Sequence, residues 1–66
     1  MPNLMEGLLQ ELNRNRELLS IYRSIPEGAY GALIIERDIT DGERAIADND
    51  VVAMLRSYKK LQENKS

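Results

Sequence analysis

The chain has 66 residues, of which 42% are hydrophobic, and it contains neither Cys nor His. The absence of Cys excludes disulfide bonds and thiolate metal sites within this chain, and the absence of His removes the side chain that most often acts as a general base near neutral pH. Its net charge of −2 excludes a strongly basic protein, and its length predicts one small domain over residues 1–66 with a small core.

The N-terminal segment MPNLMEGLLQELNRNR has no basic leader before its apolar positions. No apolar run in the chain approaches the roughly 18 residues that a membrane span needs. These features argue against a signal peptide and against a membrane partner. Together with the lack of Cys, they predict a cytoplasmic protein.

The first predicted helix covers residues 3–24. Asn3 and Glu6 have the spacing of a capping box, and Pro26 disfavours helical geometry at the residue before it. At about 100° per residue, the apolar side chains of this segment fall on one side of the helix. They are Leu4, Met5, Leu8, Leu9, Leu12, Leu19 and Tyr22.

Residues 29–47 allow two interpretations. As part of a helix over residues 28–47, they repeat small and apolar side chains at spacings of three and four: Gly31, Ala32, Ile35, Ile39, Gly42 and Ile46. As strands, ALIIERDIT and ERAIA flank Asp41-Gly42, which is a strong hairpin-turn signal. We favour the helix because ERAIA alternates poorly as a strand and because an isolated two-stranded hairpin is only marginally stable.

A third helix is predicted over residues 50–63. The triplet Asp48-Asn49-Asp50 stands directly before an apolar stripe, where Asp and Asn act as helix caps and where negative charge suits the positive end of the helix dipole. The stripe predicts core positions at Val51, Met54, Leu55, Tyr58 and Leu61. The polar residues 63–66 are predicted to be a frayed tail.

These segments predict an all-α fold, a small three-helix bundle. The alternative is an α+β fold with a β-hairpin around Asp41-Gly42 between two helices. The segment ERAIADNDVVAMLRSYKKL, residues 43–61, resembles the helical hairpins of tetratricopeptide-type repeats, and no second copy of it occurs in the chain. The resemblance implies two helices joined at the Asp48-Asn49-Asp50 turn.

The side chains of this sequence do not predict catalysis. Without His or Cys, the reactive groups are carboxylates, Lys and Tyr, in a domain too small to enclose a deep pocket around them. The acidic cluster lacks the ligand alternation, central Gly and terminal Glu of a calcium loop; it comprises Asp38, Asp41, Glu43, Asp48 and Asp50. We therefore expect no enzyme activity, no cofactor, no metal site and no small-molecule substrate.

The first helix carries more apolar surface than one partner helix covers. Leu18, Ile21 and Ile25 extend its apolar arc around the wheel. Either both other helices cover this arc in a monomer or, as we favour, part of it contacts another copy of the chain or another protein. Asn15 and Arg16 interrupt the apolar face. A polar residue at such a position either fixes the register of a helical assembly, or it marks a place where the apolar stripe shifts around the helix. The favoured function is a non-catalytic module for protein interaction or oligomerisation.

The alternative function is a small DNA-binding regulator or antitoxin-like protein that dimerises through the first helix. Arg56, Lys59 and Lys60 would supply its contacts to nucleic acid, because positive charge displaces counterions from phosphates. The acidic segment before the last helix would repel the phosphate backbone. Nucleic acid is therefore the less favoured partner.

Overall fold

The computed structural model describes residues 3–65. Helix α1 spans Leu4–Arg23, α2 spans Ala29–Ala47 and α3 spans Val51–Glu63, with a short 3₁₀ helix at Pro26–Gly28. Each helix packs against the other two, and no strand occurs between residues 3 and 65. No helix in this part of the chain combines the length and apolar character of a membrane span. The predicted all-α three-helix bundle is confirmed, and the alternative hairpin around Asp41-Gly42 is wrong.

Local capping explains where the helices begin. The Asn3 side chain accepts a hydrogen bond from the backbone nitrogen of Glu6 at 2.9 Å, and the Asp50 side chain accepts one from the backbone nitrogen of Ala53 at 3.1 Å. Between α2 and α3, Asn49 has a left-handed φ of 53°, which Asn tolerates better than most residues. The acidic triplet is thus the turn and helix cap that the sequence predicts.

Gly42, the glycine of the apparent turn signal, lies where all three helices meet. A Cβ built on it would lie 3.1 Å from Leu12 Cδ2 and 3.5 Å from Leu61 Cδ1. Its φ is not positive, so the backbone is helical and the missing side chain serves close packing. Ile35 and Ile39 of the same helix are also buried. As a helix, this segment therefore buries an apolar stripe that a lone hairpin would leave in solvent.

Two predicted core positions of α3 are wrong. Val51 and Leu55 are 56% and 53% exposed, whereas Leu61 is fully buried. Ser57, a polar residue outside the predicted stripe, is buried, and its Cβ lies 3.7 Å from a Cβ built on Gly42. This close approach of two small residues sets the rotation of α3. The rotation turns Val51 and Leu55 away from the core.

In the segment predicted to be a frayed tail, residues 63–66, two of the described residues make hydrogen bonds to α1. Asn64 is half-buried, and its carbonyl accepts a hydrogen bond from Arg14 Nη1 at 2.9 Å. The hydroxyl of Tyr22 donates to the carbonyl of Lys65. Side chains of α1 thereby bind the two residues that follow α3, and Arg14 and Asn15 also donate to the carbonyl of Leu61 in its last turn. The final serine lies outside the described residues.

We expect Gly28→Ala to destabilise the protein by about 1–3 kcal/mol, the usual cost of extra volume in a packed site. A Cβ on Gly28 would overlap the carbonyl oxygen of Tyr22, and a backbone atom cannot move aside as a flexible side chain can. Chemical denaturation measures the change. Glu27→Ala, at an exposed position in the same turn, is the matched control. Equal stability of Gly28→Ala and Glu27→Ala would contradict the close contact between Gly28 and the Tyr22 carbonyl.

Candidate interaction surfaces

The three side chains predicted to form an interaction surface lie in different environments. Ile21 and Ile25 are exposed, at 49% and 43%, whereas Leu18 is only 5% exposed. Leu18 belongs to the same buried cluster as Leu8 and Leu12, because it lies on the side of α1 that faces the other helices. Its inclusion in an exposed surface is therefore wrong. Ile21 and Ile25 remain available to a partner.

The α1–α2 hairpin extends past the end of α3. The carbonyl of Leu61, in the last turn of α3, accepts a hydrogen bond from Asn15, whereas α1 continues to Arg23. The last two turns of α1 and the start of α2 consequently have no third helix beside them. Four exposed apolar side chains lie at this end, and we call them the hairpin-end surface: Ile21, Ile25, Tyr30 and Leu33.

A groove of about 340 Å³ gives the hairpin-end surface its shape. Ile25 and Leu33 line it together with small and cyclic side chains, which are Pro26, Ala29 and Ala32. Arg23 and Glu36 also line it, and they form an ion pair across it at 2.9 Å. The groove thus has an apolar centre and a polar rim, which is the anatomy of a protein–protein contact.

Tyr30 and Leu33 were not among the predicted surface residues, although the sequence contains a signal for them. On a helical wheel, both fall away from the stripe of Ala32, Ile35 and Ile39 that faces the core. Tyr30 is 75% exposed and Leu33 is 65% exposed. The ambiguity between helix and hairpin in this segment obscured the signal, because the outward face of α2 exists only if the segment is helical.

A second group of exposed apolar side chains lies on α3. Val51, Val52 and Leu55 are between 53% and 57% exposed. Neither the groove at the hairpin end nor the charged groove described below includes them. They present exposed apolar area outside both grooves, so they serve here as a comparison for the hairpin-end surface.

A buried polar network joins the three helices. The Nδ2 group of Asn15 donates to the carbonyls of Glu11 and Leu61 at 2.8 and 3.1 Å. The Nδ2 group of Asn64 donates to Asn15 Oδ1 and to Asp38 Oδ2, each at 3.0 Å. Asn15 is completely buried and Asp38 is 4% exposed. The polar interruption of the first helix therefore has partners within the chain, and it fixes the register of α1, α2 and the end of α3.

The side chains predicted to contact nucleic acid, Arg56, Lys59 and Lys60, are exposed on one side of α3. They line a groove of about 570 Å³ between α2 and α3. We call this the charged groove. Its α2 wall carries Asp38, Asp41, Arg44 and Asp48, Asp50 and Glu63 lie at the two ends of α3, and Ala45, Ala53 and Ser57 complete the lining. Five carboxylates thus lie among four basic side chains in this groove, which disfavours the uniformly negative backbone of DNA.

Within residues 3–65, no three acidic side chains lie close enough together to hold a metal ion. The same part of the chain contains no buried side-chain nitrogen or oxygen without a hydrogen-bond partner. Asp50 caps α3 by accepting a hydrogen bond from the backbone nitrogen of Ala53, and Asp38 accepts one from Asn64 in the buried network.

A scan against protein-family models, a search of curated proteins and a search of solved structures each return no match to this chain. The resemblance of residues 43–61 to tetratricopeptide-type hairpins therefore gains no support beyond the helical hairpin itself.

Proposed function

We propose that this chain is a non-catalytic oligomerisation module that forms a homodimer through the hairpin-end surface. The observation that carries the proposal is the exposure of Ile25 and Leu33, at 43% and 65%, on the two sides of an apolar groove. Removing apolar surface from water is the main driving force for protein association. A reactive side chain is not required for this role.

The hairpin-end surface suits a second copy of itself. It offers a groove lined by Ile25 and Leu33, and Tyr30, exposed on the same helix as Leu33, protrudes outside this groove, so each copy supplies an apolar side chain and a groove. Arg23 and Glu36, the charged side chains of the groove, pair with each other at 2.9 Å, so the rim brings no unpaired charge into the contact. A stable interface covers about 800 Å² per partner, which is about one sixth of the chain's accessible surface of 4664 Å².

Leu33→Asp is expected to abolish dimer formation, because it places a charge in the centre of the apolar contact. Leu55→Asp is the matched control, since Leu55 is also exposed, at 53%, but lies on α3 outside the surface. Sedimentation equilibrium over a range of protein concentrations measures the dissociation constant of each variant. Equal dimerisation by Leu33→Asp and wild type would exclude this surface as the interface.

The alternative is the DNA-binding regulator or antitoxin-like protein that dimerises through the first helix. The side-by-side placement of Arg56, Lys59 and Lys60 on one wall of the charged groove supports it. Asp41 and Asp48 on the opposite wall count against it, because they repel phosphates. Duplex binding with a steep salt dependence distinguishes the regulator from the oligomerisation module.

A further inference from the structure

The chain continues past the end of α3 as a short segment, residues 64 and 65, which we call the C-terminal strap. Asn64 has φ −77° and ψ 125°, so the backbone leaves helical geometry at this residue. Its carbonyl accepts a hydrogen bond from Arg14 Nη1 at 2.9 Å, and its side chain donates to Asn15 Oδ1 and to Asp38 Oδ2 at 3.0 Å each. The first residue of the strap is thus bonded to both α1 and α2.

The second residue of the strap is held by a side chain that lines the groove at the hairpin end. The hydroxyl of Tyr22 donates to the carbonyl of Lys65, and Tyr22 lines the groove together with Ile25 and Leu33. The Tyr22 ring lies directly against α2, because a Cβ built on Gly31 would lie only 2.5 Å from Tyr22 Cε2. Tyr22 therefore takes part in the strap contact and in the groove at the same time.

We propose that docking of the C-terminal strap is coupled to dimerisation through the hairpin-end surface, and that Tyr22 is the positioning residue that links them. The inference rests on the dimer proposed above. With the strap docked, Lys65 holds the Tyr22 ring over Gly31 and keeps the groove in the shape described. With the strap released, the ring exchanges among staggered rotamers, and fewer chains present a groove ready for a second copy.

Such coupling is reciprocal, so a dimer also favours the docked strap to the extent that the docked strap favours the dimer. The strap is held to α1 and α2 by side-chain hydrogen bonds, without a helical ladder of its own, so it opens at a lower cost than the three helices do. A partner or a modification that displaces residues 64 and 65 would therefore weaken the dimer without unfolding the bundle.

Tyr22→Phe tests the coupling, because it removes the hydroxyl that binds Lys65 and keeps the ring. We expect the dissociation constant of the dimer to rise by about three- to fivefold, since both copies need a correctly held ring. The order parameter of the Lys65 amide, from NMR relaxation, should fall from about 0.85 toward about 0.6. Tyr58→Phe is the matched control, because it removes the same atom beside Gly7, near the opposite end of α1 and outside the groove.

Arg14→Lys separates coupling through the strap from a direct contact between the Tyr22 hydroxyl and the second copy. It keeps the charge but loses the planar group that binds the Asn64 carbonyl, and Arg14 does not line the groove. We expect the dissociation constant to rise by about threefold, with a similar loss of order at Lys65. An unchanged dissociation constant would overturn the coupling, because Tyr22 would then act without the strap.

The remaining outcomes separate this inference from the proposed dimer. A wild-type chain that stays monomeric would overturn the dimer and the coupling together. A wild-type dimer with an equally tight Tyr22→Phe dimer would overturn the coupling alone. At concentrations that populate the Tyr22→Phe dimer, the order parameter of Lys65 should rise again by reciprocity. A Lys65 amide that stays equally mobile in monomer and dimer would also overturn the coupling.

Discussion

Leu61→Ala is expected to unfold the protein, whereas Leu55→Ala should leave it folded with little change in stability. Leu61 is fully buried, and its methyl group lies 3.5 Å from a Cβ built on Gly42, at the junction of the three helices. Removing a buried Leu side chain costs about 2–5 kcal/mol. A core of this size supplies only about 3–5 kcal/mol in total.

The comparison with Leu55 isolates burial from other effects of the substitution. Both changes are Leu→Ala within α3, so their effects on helix propensity are matched, but Leu55 is 53% exposed. Circular dichroism during thermal and urea denaturation reports the stability of each variant. A folded Leu61→Ala protein, or a Leu55→Ala protein that unfolds, would mean that α3 is rotated differently from the structure described.

Asn15→Ala is expected to destabilise the protein by about 1–3 kcal/mol, the cost of leaving buried polar groups without partners. Its side chain is fully buried and serves as donor to Glu11 and Leu61 and as acceptor from Asn64. The control is Asn13→Ala on the same helix, since the Asn13 side chain is exposed and bonds only Arg16 among the described side-chain contacts. Urea denaturation measures both variants.

Asn64→Ala extends this test to the end of the chain. Because Asn15 and Asn64 share a hydrogen bond, the double variant should lose less stability than the sum of the single changes. Additive losses would show that the two residues act independently. Equal stability of Asn15→Ala and Asn13→Ala would contradict the role of Asn15 in fixing the helix register.

The sequence predicted the number, type and approximate ends of the helices, because these depend on local features. The caps at Asn3 and Asp50 act over three residues, and apolar periodicity acts over one or two helical turns. The helical state of α2 was harder to assign because Asp41-Gly42 also fits a hairpin. Its assignment rested on the poor strand alternation of ERAIA and on the marginal stability of an isolated two-stranded hairpin.

The features that the sequence did not predict depend on contacts between distant residues. The rotation of α3 follows from the close approach of Ser57 to Gly42, so the buried position is a serine and Leu55 is exposed. The order of the C-terminal segment depends on Asn64, whose partner Asn15 is 49 residues away in the chain. No periodic pattern within one helix contains this information.

The candidate surfaces were predicted only in part for the same reason. Ile21 and Ile25 were recognised from the wide apolar arc of the first helix, and both are exposed. Leu33 is exposed because it lies on the outward face of α2, a signal that the hairpin alternative obscured, whereas the lack of a third helix at this end is a property of the packed bundle. The charged groove likewise arises only when α2 and α3 are placed side by side.

The most direct test of the account is the solution molecular mass of the wild-type protein over a wide concentration range in about 500 mM salt, where contacts between exposed charges are screened. We predict a reversible rise from the mass of one chain to that of two as concentration increases, since the hairpin-end contact is apolar. A mass of one chain at every concentration would contradict the proposal that the exposed apolar side chains at the hairpin end hold two copies together.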